Sequence, residues 1–167
     1  MLQTPPPEQV LTEIEDVFRI YGDMIFRLAR LHTDNRQDAE DVAQDVLIRA
    51  MRNTKPFESP EHQKAWLIRV TLNCARTRMT SAWKRHTVGE TGLERAAEEP
   101  EDFSDVYQAV HALDEKYRDV VHLFYYEDYS VKEIASILQT TESNVKSRLH
   151  RARETLRERL KGEYADV

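Results

Sequence analysis

Ser143, Asn144, Lys146, Ser147, His150 and Arg151 fall on one side of a helical run whose other side carries Val145, Leu149, Ala152, Leu156 and Leu160. The first set holds the side-chain types that read base edges: Lys and Arg suit guanine or phosphate, Asn suits adenine, and Ser suits either. Such a helix needs an element that aims it. Ser130-Val131-Lys132-Glu133 supplies a capping box, in which the Ser hydroxyl accepts an N–H from the first turn and the Glu carboxylate reaches back. A short helix through Ile134, Ala135 and Leu138 then ends at Gln139, and Thr140 and Thr141 can cap the longer helix, which runs to Lys161. Short helix, tight turn and longer basic helix make the helix-turn-helix layout, whose second helix enters a major groove. A plain helical hairpin with a solvated basic face has the same spacing. The capping box, the turn chemistry and eight basic against four acidic residues over 130–161 favour nucleic acid.

A second set of charges lies upstream. Asp38, Asp41 and Asp45 share a helix face at i, i+3 and i+7, with Gln44 beside them. Like charges at that spacing repel, so this is either an ordinary solvated face or one that a basic partner compensates. The Gly and the full ligand ladder of a calcium loop are absent. The same helix turns a stripe of Ala39, Val42, Ala43, Val46, Leu47, Ala50 and Met51 toward a core. Beyond a loop bracketed by Pro56 and Pro60, a long helix over 61–86 is predicted, with Trp66, Leu67, Val70, Ala75 and Met79 apolar. Residues 64–86 hold Lys64, Arg69, Arg76, Arg78, Lys84 and Arg85 and no acid. Trp66 is read as core rather than as a stacking platform, and Trp83, near the basic end, as more open to nucleic acid. Cys74 is read as a small buried residue, because a redox role needs a second thiol that the chain lacks.

These stretches need helices to position them. An amphipathic helix is predicted over Glu8–Leu31, with Gly22 as a bend or break, followed by a Thr33-Asp34-Asn35 capping turn. Residues 87–102 hold two Gly, Pro100 and six acids with no apolar period, and read as an interdomain linker. Helix resumes near Phe103, and Asp114 can cap a further helix through Tyr117, Val120, Val121, Phe124 and Tyr125. The fold class is all-α: two small helical domains, 8–86 and 103–161, joined by a flexible acidic linker.

Composition bounds the function. A net charge of −6, from 24 Lys+Arg against 30 Asp+Glu, argues against a free-standing nucleic-acid binder. The average hides two basic islands separated by residues 90–119, where ten acids meet three bases. One cysteine excludes an internal disulfide and a multi-cysteine zinc site, and no signal peptide or membrane span is visible, so a reducing cytoplasmic setting is expected. The six His are scattered, and no His-Glu-x-x-His, phosphate loop or nucleophile motif occurs. No enzyme, cofactor or metal is expected.

Ser130–Leu138 followed by Asn144–Arg153 resembles the fourth conserved region of the extracytoplasmic-function sigma factors of bacterial RNA polymerase, and Ala112–Val121 resembles the start of that region. Asp38–Arg52 is similar to the family's second region, and Phe57–Arg76 to its promoter-melting and minus-ten segments. The resemblance implies that Lys146, Ser147, His150 and Arg151 face the groove of the minus-thirty-five element, with Arg148 and Arg153 at phosphate or in packing; Ser143, Asn144 and Arg148 are counted with the contacts to that element. It implies that Asp41, Gln44 and Asp45 grip a coiled coil of core polymerase. It assigns Phe57, Lys64, Trp66, Arg69, Asn73, Arg76, Trp83, Lys84 and Arg85 to melting and minus-ten contacts. Capturing an unstacked base needs aromatic and polar walls beside a basic track. Two departures stand out: Gln139 where the family usually has a C-cap Gly, and Asn144 where it commonly has Thr.

The expected partners are core RNA polymerase, promoter DNA and, by the resemblance, an anti-sigma factor. The free chain is expected to be a monomer without membrane insertion. A stand-alone helix-turn-helix regulator would leave the first 86 residues unexplained. An adaptor that has lost promoter reading would not need the basic helices.

Overall fold

The computed structural model describes residues 7–87 and 104–164, apart from the side chains of 82–87 and 163–164. The chain divides into two compact units, Met1–Ala97 and Glu98–Val167. Seven α-helices and one π-helical turn make up the regular structure, with no strand among the described residues, as the all-α reading expects. The expected linker lies outside the described residues, Thr87 excepted.

In the first unit α1 spans Ile14–Leu31, α2 Arg36–Arg52 and α3 Pro60–Thr87. Helix α1 begins six residues later than the apolar period suggests, after Glu13 in an extended conformation. It runs unbroken through Gly22, against the expected bend. A Cβ there would meet only the Phe18 ring at 3.5 Å, so the glycine lowers helix propensity without breaking the ladder. The capping turn forms as expected: the Asn35 side chain accepts the Asp38 N–H at 2.8 Å and donates to the Asp38 carboxylate at 2.9 Å. Ser59 caps α3 by accepting the His62 N–H at 3.1 Å, with Pro60 in the first turn, where its missing N–H costs nothing.

The three helices pack pairwise around Val17, Ile25 and Leu28 of α1, Val42 and Val46 of α2, and Leu67, Ile68 and Leu72 of α3. Each such buried side chain contributes about 1.5–3 kcal/mol. Ile68 and Leu72 belong to the α3 core, whereas Val70 and Met79 are only half-buried, so the apolar face is rotated from the predicted stripe. Met51 also departs from expectation. It ends the α2 stripe but is 66% exposed, since it lies in the last turn of its helix.

In the second unit α4 spans Asp105–His111, α5 Glu115–Val121, α6 Val131–Ile137 and α7 Glu142–Tyr164, all in contact with α7 or with a neighbour that is. Ser104 caps α4 by accepting the Tyr107 N–H at 3.2 Å. Asp114 occupies the N-cap position of α5, but its side chain makes no cap bond, contrary to expectation. Helix α5 widens into a π-turn over His122–Tyr126, with the Glu127 N–H donating to the His122 carbonyl at 3.1 Å. The extra residue turns Tyr125 and Tyr126 outward, so Tyr125 leaves the core stripe predicted for it.

Candidate functional site

The turn between α6 and α7 aims the groove helix. The capping box is present: the Glu133 N–H donates to Ser130 Oγ at 3.1 Å and the Ser130 N–H to Glu133 Oε2 at 2.8 Å. At the other end of α6 the Thr140 N–H donates to the Ala135 carbonyl at 2.9 Å and the Gln139 N–H to the Ser136 carbonyl at 3.3 Å. That pair is a Schellman motif, and it holds Gln139 at φ 54°, the left-handed position glycine usually fills. The turn geometry survives the Gly-to-Gln departure at the cost of a strained backbone.

Helix α7 buries Val145, Leu149 and Ala152 and leaves Ser143, Asn144, Lys146, Ser147, His150 and Arg151 exposed, as its period predicts. Arg148 is half-buried. The Asn144 N–H donates to Thr141 Oγ1 at 3.1 Å, and its Nδ2 to Thr140 Oγ1 at 3.0 Å, so part of this amide is spent on the turn itself. His150 Nε2 lies 3.2 Å from Glu154 Oε1, both largely in solvent. Arg153 packs: its Nε donates to Tyr125 Oη at 2.7 Å, and its guanidinium lies 5.7 Å from the Phe124 and Tyr125 ring centres. The π-turn thus delivers the tyrosine that fixes Arg153.

On α2 the three aspartates do not share a fate. Asp38 is 2% exposed and belongs to the interior, where Arg78 Nε donates to its Oδ1 at 3.0 Å. Arg78 Nη2 also donates to Asp41 Oδ2, so one guanidinium from α3 bridges both acids and offsets part of their charge. This is the basic partner that the acidic spacing called for, and it removes Arg78 from the expected DNA track. Asp41 is half-exposed, while Gln44 and Asp45 are exposed. Ile48 and Met51, both exposed, continue the same side at helical spacing and give this face an apolar component. Ile48 sits one residue off the core stripe, which is the signal that could have found it.

A cavity of about 350 Å³ opens between the start of α1, the end of α2 and the α2–α3 loop. Phe57 and Trp66 line it together, with ring centres 5.4 Å apart, and His62 meets Phe57 edge-on at 5.5 Å. Trp66 is half-buried, between the core and platform readings. Asn53 shapes the loop by donating from Nδ2 to the Lys55 carbonyl at 2.9 Å. Lys64 and Arg69 are half-buried, and Asn73 and Arg76 exposed. Asn73 does not line the cavity. It lies seven residues beyond Trp66, about 10 Å along the helix, on a face with Arg69 and Arg76. Arg78 points to α2, so that face turns away from it. The side chains of Trp83, Lys84 and Arg85 lie outside the described residues.

Burial raises the Cys74 thiol above its usual range. The nearby Asp45 charge adds to this and Arg49 opposes it, which keeps the thiol protonated and inert. Among the described residues no cluster of His, Cys, Asp or Glu can hold a metal ion, and no helix is long and apolar enough to cross a membrane.

Both units have counterparts among known proteins. Residues 17–85 match the model of Sigma-70 region 2 and residues 103–156 that of Sigma-70, region 4. The ECF RNA polymerase sigma factor SigW of Bacillus subtilis is 31% identical over 87% of this chain and 88% of its own. The RNA polymerase sigma-E factor of Streptomyces coelicolor is 33% identical over 89% and 86%. In fold the chain is similar to the sigma factor RpoE, solved with the anti-sigma factor NepR from Bartonella quintana, with a TM-score of 0.72 and 23% identity over 90% of this chain and 98% of that one. A second fold match is CnrH, solved with the cytosolic domain of CnrY, with a TM-score of 0.62 and 22% identity over 89% of this chain and 88% of that one. With both sigma-70 regions in order along it, and relatives above 30% identity that it spans almost end to end, the chain belongs to the ECF sigma factors, which direct RNA polymerase to promoters to begin transcription.

Proposed function

We propose that this sigma factor is a non-catalytic specificity subunit that works in the cytoplasm on core RNA polymerase and promoter DNA, and that an anti-sigma factor restrains it. Domain 8–86 docks on polymerase through Gln44, Asp45 and the outer edge of Asp41, around the apolar Ile48. The cavity beside Phe57 and Trp66 takes an unstacked nontemplate base. Lys64, Arg69, Asn73 and Arg76, continued by Trp83, Lys84 and Arg85, track the backbone next to it. Domain 103–161 reads the minus-thirty-five element with Ser143, Asn144, Lys146, Ser147, His150 and Arg151, and Arg148 lies toward phosphate. The acidic linker of 87–102 keeps free DNA affinity low.

One observation carries this reading: the first unit has two unlike surfaces. An acidic and apolar face on α2 suits a protein, and an aromatic cavity followed by a basic face on α3 suits a single strand. A stand-alone DNA-binding regulator has no use for the first. RpoE was solved with an anti-sigma factor, and by that likeness this chain is expected to take one. The test is co-elution of the purified chain with bacterial core polymerase, beside binding to promoter DNA alone. Tight co-elution with weak free DNA binding is expected. Tight DNA binding without co-elution would overturn the polymerase-docking assignment.

A further inference from the structure

We infer that Gln63 is a positioning residue for promoter opening. Its carboxamide straps down the segment before α1, which lines the cavity along with Phe57 and Trp66, and so fixes part of the wall against which a captured base rests. This rests on the reading of that cavity as a base pocket.

Gln63 lies one turn before Trp66 and is 3% exposed. Its Nε2 donates to the Leu11 carbonyl at 2.8 Å, and its Oε1 accepts the Leu11 N–H at 2.9 Å. One side chain therefore satisfies both polar groups of a single backbone residue 52 positions earlier, as a neighbouring strand would. A buried primary amide is costly unless paired, so the contact is specified by Gln63 rather than incidental. Leu11 lies in a stretch that belongs to no helix, and apolar packing alone would leave such a stretch free to shift. Val10, Leu11 and Thr12 line the cavity together with Phe57 and Trp66. Releasing the amide removes that part of the lining. The cavity then becomes an open groove, and a base entering it has a stacking surface but no floor.

The test uses the full chain with Gln63→Ala and Gln63→Glu. The second keeps the size and the acceptor but sets a carboxylate oxygen against the Leu11 carbonyl. Leu11→Pro removes the N–H donor from the other partner, together with the Leu side chain and the freedom at φ, leaves α3 untouched, and replaces either variant if that one fails to fold. The first readout is acrylamide quenching of Trp66 in the free chain, with Trp83→Phe present only for this measurement. The second is the rate of opening by the holoenzyme, followed by permanganate reactivity of unpaired thymines. It is taken on an intact duplex promoter and on promoters carrying one abasic site at each nontemplate minus-ten position in turn. Quenching is expected to rise about twofold, and opening of the intact promoter to slow about tenfold. At the abasic position that empties the pocket, wild type and variants should open within about twofold of each other, because no base remains to be held.

Unchanged quenching overturns the strap whatever the cavity binds. Raised quenching with opening unaltered, or slowed equally on every abasic template, overturns the role in base capture while leaving the strap geometry intact. Wild-type opening that is indifferent to every abasic site overturns the base-pocket reading itself, and Gln63 then has no part in promoter opening.

Discussion

Gln139 is held at φ 54° by the two Schellman hydrogen bonds. A left-handed backbone costs a non-glycine residue about 1–2 kcal/mol, while glycine returns about 0.4–1 kcal/mol to the unfolded chain. The relief exceeds the loss, so Gln139→Gly is expected to stabilise the second unit by about 0.5–1 kcal/mol in urea titration, with the turn unchanged. Tyr21 offers a second gain. It is 3% exposed, and its hydroxyl is buried without a hydrogen-bond partner. Tyr21→Phe should raise stability at neutral pH by about 1 kcal/mol. Burial, and then the Glu61 charge, hold the phenol pKa above its usual value. The folded chain therefore keeps its proton where the unfolded chain, with a pKa of about 10, loses it. Stability falls as pH climbs past that value, and the advantage of Tyr21→Phe widens there. A constant advantage across that range would mean that Tyr21 ionises as freely in the folded chain as outside it. The two residues differ in how far the sequence shows them. Tyr21 reads as core from its period, yet nothing in the sequence says that its hydroxyl stays unpaired. Gln139 was legible because one glycine was missing from a turn that demanded one.

At the scale of elements, periodicity carried most of the fold. The inward stripe of α7 and the capping box of α6 lie where the sequence puts them, because both are set by contacts within a few residues. What failed needed a third element. The π-turn at His122–Tyr126 lies within a run, Val120–Tyr126, in which His122 alone is polar, so no period could show the register slip. Arg78 was counted with the basic track because charge totals ignore direction. Its angle on α3, opposite Arg69, Asn73 and Arg76, was readable, but its partners on α2 lie 37 and 40 residues away. Removing it takes from buried Asp38 the guanidinium that pairs with its carboxylate. Arg78→Ala is therefore expected to destabilise the first unit by about 3 kcal/mol. Adding Asp38→Asn should recover part of that loss, since the buried charge that Arg78 paired with is gone. If Arg78→Ala leaves the first unit as stable as before and instead weakens DNA binding, Arg78 belongs to the track after all.

The whole molecule distributes its charges unevenly within a net of −6. Its acidic face on α2 and its basic faces on α3 and α7 can be tested as separate instruments. The clean reversal on α2 is Gln44→Lys with Asp45→Lys, because both residues are exposed, whereas Asp41 is tied to Arg78 and its reversal would set a lysine against that guanidinium. This double variant should fold normally and lose affinity for core polymerase, while any holoenzyme that still forms keeps its promoter preference. Arg151→Ala should do the converse. Polymerase binding stays intact, and recognition falls by about 1–3 kcal/mol, only at promoters that carry the cognate minus-thirty-five base. A loss that is uniform across sequences, with the salt dependence of binding reduced by about one counterion, would make Arg151 a phosphate contact instead. Competition for core polymerase measures the first variant, and initiation on matched and mismatched promoters measures the second. If Gln44→Lys with Asp45→Lys changes promoter preference but not polymerase affinity, the two faces have been assigned the wrong way round. In that case α2 must be counted among the DNA-reading elements.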